Sequence, residues 1–324
     1  MSTHPRTLLS VLALSMLAAC GDDGASTGQI SLGVTDSPVD YAQAVVVQFT
    51  GVELKPKEGP AFSIDFATPK TIDLLALQGE ERVMLLDGEV VDAGEYLWMR
   101  LKVLADPNVA GDSYVSVDGH HCEMRIPSGD ERGLQLIRAF TVGVGATTDY
   151  TVDFDLRRSV LRPPGLTTDL EVCEGEVYHL KPVLRIVDNL EVGTITGAVD
   201  PMLITPQCGE TTTGVYPGNI YLFGPVTDSE PGTPDDYDGE VDDGADPLAS
   251  AMVDPDSFTY TIGFVPAGNY RLAYTCDEDA AATDADLDNV PDGKDEAVEF
   301  TPAAGVPVTV TAGQTATVDF PPPL

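Results

Sequence analysis

Tyr96-Leu97-Trp98-Met99-Arg100-Leu101-Lys102-Val103 is the stretch that decides the fold class. Leu97, Met99, Leu101 and Val103 occupy every second position, and Tyr96, Trp98, Arg100 and Lys102 stand between them. Successive side chains of a strand point to opposite faces, so a period of two predicts a strand with one apolar face. The same period recurs on either side. Ile30, Leu32 and Val34 alternate, then Val45, Val47 and Phe49, with Gly51 placed to make a bulge before Val52 and Leu54. Tyr150, Val152, Phe154 and Leu156 follow, and Val183 to Val187 closes the set. Turn chemistry at Thr35-Asp36-Ser37-Pro38, Asp87-Gly88, Ala93-Gly94, Asp118-Gly119 and Pro163-Pro164-Gly165 cuts this half into short strands, which predicts a sandwich or open barrel. Ile72 to Leu77 is the one segment with a helical reading, and its period is ambiguous.

The second half opens after a polar hinge at Asn189 to Val192. Gly193 to Val199, Ile220 to Phe223, and the alternating Phe258, Tyr260 and Ile262 read as strands. Val265-Pro266-Ala267-Gly268-Asn269-Tyr270 turns into Arg271 to Cys276, and Val306 to Val310 and Ala316 to Phe320 end the chain. At 324 residues there is room for about two domains. The expectation is an all-β protein of two β-sandwich-like domains, immunoglobulin- or prealbumin-like, over residues 29–190 and 191–324.

In the first half, Thr35-Asp36-Ser37-Pro38-Val39-Asp40, Asp73-Leu74-Leu75 and Ala93-Gly94-Glu95-Tyr96 stand in order. Val152-Asp153-Phe154-Asp155, Ser159-Val160 and Leu180-Lys181-Pro182-Val183 complete the set. Together they resemble the bacterial lipoprotein family catalogued as domain-of-unknown-function family 4382, from about Gly28 to Asn189. The resemblance implies an exported β-rich domain and supplies no activity. From residue 192 onward, the Gly-rich opening strand, Pro-Ala-Gly-Asn-Tyr and the closing strand pair resemble the carboxypeptidase-regulatory-like or prealbumin-like sandwich. That likeness implies a folding and spacing module without catalysis.

Thr7 to Ala19 is an apolar run after a start carrying Arg6, too short to span a bilayer. It ends in Leu17-Ala18-Ala19-Cys20, which closely resembles the bacterial lipobox. The resemblance implies removal of residues 1–19, a lipid on Cys20, and a tether over residues 20–28. Gly21 rather than Asp follows the cysteine, so outer-membrane placement is expected, facing the periplasm or the surface.

Apolar residues make up 43% of the chain and the formal net charge is −36; losing Arg6 with residues 1–19 takes it to −37. Such a field repels phosphate backbones, so nucleic acid is excluded as a partner. Once Cys20 is lipidated, four cysteines remain, and an even number in an exported chain predicts two disulfides. Of three connectivities, Cys122–Cys173 and Cys208–Cys276 keep each pair within one domain. Zinc is the rival, but there is no Cys-x-x-Cys pair, and only His120, His121 and His179 remain.

The sharpest local signal is the run from Asp284 to Asp295. Asp284, Asp286, Asp288, Asp292 and Asp295 could converge as carboxylates, with the Val290 carbonyl, on a calcium ion that takes six to eight oxygens. The spacing resembles the thrombospondin type 3 calcium repeat, with Asn289 where that repeat has glycine. Asp236, Asp238, Asp242 and Asp246 form a looser second candidate in a Pro/Gly-rich insert. A solvated acidic loop is the alternative at both places. No nucleophile elbow, metalloprotease helix or phosphate loop is present, so the protein is expected not to be an enzyme. Tyr96 with Trp98 offers a possible ligand face, since aromatic faces suit sugar rings. The expected role is a binding or structural module of the cell envelope, meeting glycan or an envelope protein. The alternative is an accessory subunit or enzyme acting on extracellular polysaccharide.

Overall fold

A computed structural model of the chain describes residues 26–37, 42–106, 112–117, 119–126, 133–161, 178–181, 183–208, 210–211, 214–215, 217–224, 234, 247–277 and 298–322. It is all-β. The first half contains β1 (Thr27–Ser37), β2 (Ala44–Pro56), β3 (Phe62–Asp73), β4 (Val83–Asp92), β5 (Gly94–Leu104), β6 (Tyr114–Val117) and β7 (His120–Arg125). It continues with β8 (Leu134–Leu136), β9 (Phe140–Val142), β10 (Thr147–Asp155), β11 (Val160–Leu161), β12 (Tyr178–Leu180) and β13 (Leu184–Asp188), with the one-turn helix α1 (Leu156–Ser159) after β10. One sheet runs β13-β10-β1-β4; the other is built on β2 and β5, with β3, β6, β8 and β9 paired to them. Ile30, Leu32, Val45, Val47, Phe49, Met99, Leu101, Val152 and Phe154, all fully buried, fill the space between the two sheets.

The second half contains β14 (Val192–Ala198), helix α2 (Pro201–Gln207), the small hairpin β15 (Glu210–Thr211) and β16 (Gly214–Val215), and β17 (Asn219–Phe223). It ends with β18 (Pro247–Met252), β19 (Thr259–Pro266), β20 (Gly268–Thr275), β21 (Thr301–Val310) and β22 (Thr315–Thr317). Its sheets run β19-β14-β22 and β18-β17-β20-β21 around a separate core that includes Ile195, Ile220, Leu222, Ile262, Leu272 and Phe320. Cys208 and Cys276 are disulfide-bonded, as expected, at a Cα separation of 4.9 Å. Cys122 is buried and disulfide-bonded too, while Cys173 lies outside the described residues.

The two sandwiches share one frame. In the first, β1 lies between antiparallel β4 and parallel β10; in the second, β14 lies between antiparallel β19 and parallel β22. Opposite them stand β3-β2-β5-β9 and β18-β17-β20-β21 in the same order, every neighbour antiparallel.

Several expectations change. Tyr96 does not share an outer face with Trp98. Lys55 pairs with Trp98 and Pro56 with Tyr96, so the ladder skips Leu97. One extra residue on a strand turns everything beyond it to the other face. Tyr96 therefore falls in the core at 1% exposure, and Leu97 is outside at 39%. The slip expected at Gly51 is present, between Phe49 and Gly51. Ile72 and Asp73 complete β3, and only Leu74–Ala76 winds, as a 3-10 turn. Phe258 does not join the alternation, because it takes a positive φ of 57° at the turn into β19. The strand expected over Val183 to Val187 runs from Leu184 to Asp188. Helix α2 was not foreseen, although Asp200 caps it by accepting from the Met202 N–H (2.8 Å) and Pro201 takes its first position.

Candidate functional site

The parallel pair β1 and β10 is buried on both faces, as parallel strands usually are. Their inward residues enter the first core, and their outward residues Ser31, Thr35, Thr151 and Asp153 are buried as well. Part of the cover is Arg82, whose side chain lies over Gly33 and donates to both Asp149 oxygens (3.0 and 2.8 Å). The rest comes from the second sandwich, since Ala249, Ser250 and Thr261 to Phe264 lie beside Thr35, Asp36 and Asp153. The backbones meet at Gly79 and Gly263, where a Cβ on Gly263 would stand 2.2 Å from the Gly79 carbonyl oxygen. That contact admits only glycine at position 263.

Most of the family-like segments of the first half converge at this seam. Thr35 Oγ1 lies 3.1 Å from the Leu77 carbonyl and 2.8 Å from that of Glu81, tying the end of β1 to the segment before β4. Asp153 pairs with Arg185. Asp155 caps α1 by accepting from the Arg158 N–H (3.2 Å). Burial pushes its carboxyl up to about 6, against the opposing pull of Arg158 and Arg157. Ser159 Oγ donates to the Val183 carbonyl (3.2 Å) and accepts the Val183 N–H (3.0 Å). The buried Arg157 guanidinium sits over the ring of Tyr221 in the second sandwich, 5.2 Å from its centroid. Tyr221, Phe223 and Phe300 form a small aromatic cluster on that outer sheet face.

Beside the seam lies an open cleft of about 340 Å³. Glu80, Arg82 and Asn189 line one side, and Thr194, Phe264 and Gln314 the other. Thr194 Oγ1 donates to Glu80 Oε1 (2.6 Å) across the cleft. Thr151 Oγ1 accepts from Arg82 (3.2 Å) and donates to Asn189 Oδ1 (2.9 Å). Burial raises the Asp149 carboxyl, but the Arg82 and Asn189 hydrogen bonds outweigh it and hold the group below its ordinary value. Phe264 takes φ 54°, a left-handed conformation costly for a non-glycine residue and held here by its surroundings. No single motif marks this site, because its residues come from four separated segments.

The residues singled out from sequence fall elsewhere. Tyr96 is stacked on Phe140 inside the first core (centroids 5.0 Å apart). Trp98 is half-buried, with the Arg100 guanidinium 4.9 Å from its ring centroid, so the expected two-ring face does not form. Cys20 lies outside the described residues, as do Asp236, Asp238, Asp242 and Asp246, and Asp284, Asp286, Asp288, Val290, Asp292 and Asp295. Among the described residues, no group of three His, Cys, Asp or Glu side chains could hold a metal. Among them too, no helix is long and apolar enough to cross a membrane.

Residues 27–181 match the family described as "Domain of unknown function (DUF4382)". The first sandwich is a DUF4382 domain. That match takes in β1 to β12, and the buried ends of β1 and β10 lie within it. No curated protein matches the chain. Among solved structures, a leucine-rich repeat protein from Bacteroides thetaiotaomicron is 13% identical over 91% of this chain (TM-score 0.21), and the chain spans only 26% of that protein. A putative carbohydrate binding protein from Pseudomonas aeruginosa is 16% identical over 41% of this chain and 90% of its own (TM-score 0.21). BcpA, the major pilin subunit of Bacillus cereus, is 12% identical as its D312A form, over 91% of this chain and 99% of its own (TM-score 0.20). At such scores these likenesses carry no argument about what the DUF4382 domain or its neighbour does.

Proposed function

We propose that this chain is an outer-membrane lipoprotein, held by a lipid on Cys20, that binds glycan without transforming it. The observation that supports this reading is the cleft, which both sandwiches build and which has the volume of a small-ligand site. It offers what a sugar needs: the Phe264 ring for an apolar sugar face, and the Glu80 carboxylate with the Asn189 and Gln314 amides for hydroxyls. Among the described residues lining it, Glu80 supplies the single carboxylate, whereas glycoside hydrolysis usually needs a flanking pair.

The test is a glycan array probed with the detergent-solubilised full lipoprotein, followed by titration of any retained glycan. Gln314→Ala and Phe264→Gly are each expected to weaken binding at least about tenfold, the loss of one good contact. Retention of no glycan, or binding untouched by both variants, overturns the reading and leaves a structural module. The Asp284 to Asp295 stretch is the proposed calcium site of this half of the chain. Calcium at about a hundredfold over its Kd would then add about 2.7 kcal/mol. That gain should vanish with Asp286→Ala plus Asp288→Ala, and no melting shift at millimolar calcium would sink the assignment.

A further inference from the structure

One end of the first sandwich gathers features that the cleft does not use. The Ser26 carbonyl accepts the Ala93 N–H from the β4–β5 corner (2.7 Å), and the Thr27 carbonyl accepts the Gly145 N–H from the turn before β10 (2.8 Å). The β2–β3 hairpin joins them, with Lys57 N–H donating to the Glu95 carbonyl (2.8 Å). Two corners between the sheets, one hairpin tip and the start of β1 therefore share one end. Val144, in the turn bonded to Thr27, is 73% exposed between two glycines. Val90, opposite Gln29 on β4, is 61% exposed. Lys57 stands beside them, paired with Glu95 (2.6 Å).

The chain reaches this end by a tether of known length. Between Cys20 and Thr27 lie Gly21 to Ser26, seven residue steps that fully extended span at most about 25 Å. A lipid on Cys20 would hold the start of β1 within that distance of the acyl chains, and the headgroup zone itself is about 6 Å deep. The tether caps the distance, and the exposed valines give a reason to close it. We propose that this end of the first sandwich docks on the leaflet that anchors Cys20, with Val144 entering the headgroup–acyl boundary. The inference rests on the lipid-anchor reading above. Its partner is a zwitterionic lipid surface, because a chain whose formal charge goes from −36 to −37 on losing Arg6 is repelled by anionic headgroups within a Debye length of about 8 Å.

The single tryptophan of the chain makes the test clean. Full-length lipoprotein carrying Trp98→Phe with Val144→Trp is reconstituted into phosphatidylethanolamine/phosphatidylcholine vesicles containing brominated acyl chains. The control is Trp98→Phe with Val83→Trp, since Val83 is 37% exposed and pairs with Val34 near the far end of β1. Docking predicts at least about twofold stronger quenching at position 144 than at 83, as for a side chain buried 5–10 Å into the boundary. Replacing half of the lipid by phosphatidylglycerol should reduce the difference. Equal quenching at the two positions in protein whose N-terminal mass shows the lipid overturns the docking and leaves the anchor standing. An N-terminal mass without lipid overturns the anchor itself, and the docking with it.

Discussion

Asp92-Ala93-Gly94-Glu95-Tyr96 and Pro266-Ala267-Gly268-Asn269-Tyr270 are one corner built twice. In each, the tyrosine hydroxyl donates to the carbonyl four residues back, Asp92 (2.7 Å) and Pro266 (2.8 Å). In each, the alanine N–H donates to the residue before the first strand, Ser26 or Glu191. The correspondence extends to the closing turns. Gly145 and Gly313 both take positive φ (62° and 68°) and donate to Thr27 and Val192. A Cβ on Gly28 would meet the Gly143 carbonyl oxygen at 2.2 Å, and one on Gly193 the Thr311 carbonyl oxygen at 2.5 Å. The sandwiches part company between β5 and β9 in the first and β20 and β21 in the second. The first places β6 to β8 in that connection, and the second places the stretch that includes Asp284 to Asp295. A frame fixed by backbone contacts tolerates new chain where its own bonds do not pass.

The largest effect separates the two sandwiches. Cys208→Ser with Cys276→Ser opens a loop closed across 68 residues, and should cost about 4 kcal/mol. Calorimetry should show the second sandwich melting earlier while the first holds; a shared shift would mean that the two unfold as one unit. Next, Gly28→Ala and Gly193→Ala should each cost about 3 kcal/mol in chemical denaturation, since a carbonyl must move in either case. A cost at only one of them would break the equivalence.

The third effect belongs to the first sandwich alone. Asp155 is raised from 3.8 to about 6, mainly by burial, so the fold prefers its protonated form. Its contribution is whole below about pH 4 and is lost as the pH rises through about 6. Asp155→Asn removes that loss and should gain up to about 2 kcal/mol over the parent at pH 7, with no gain at pH 4, in paired urea titrations. The smallest effect sharpens the match between the corners. Tyr96→Phe and Tyr270→Phe should each cost about 1 kcal/mol, one hydrogen bond to a carbonyl, and unequal costs would show that one corner is only decorative.

Met99, Leu101 and Val103 were legible because the period of a strand is written in its own residues. Tyr96 was not, because a one-residue slip leaves no mark on composition and turns the next side chain around. Thr151 and Asp153 stand between the apolar positions of β10 and face away from the first core. What covers them comes from distant segments, Arg82 and Asn189 over Thr151 and the stretch around Ser250 beside Asp153, which alternation cannot encode. The cleft was illegible for the same reason, its polar groups arriving from Glu80, Asn189 and Gln314. Gly268 was visible as a turn glycine, yet its constraint is the Tyr270 ring, 3.1 Å from where its Cβ would stand.

Strand direction also decides how the two sandwiches carry load. The first begins at Thr27 and ends at Asp188; because β13 runs antiparallel to β10 and β10 parallel to β1, the chain leaves β13 at the level of Leu32, heading back toward the end where β1 starts. Tension between them would peel the ladder one hydrogen bond at a time. The second begins at Val192 and closes through β22, parallel to β14, with Val199 bridged to Phe320 at the far end. Pulled by its ends, that pair is sheared and its bonds must fail together. In a single-molecule pulling trace, the sandwich nearer the tether is the one that yields at lower force.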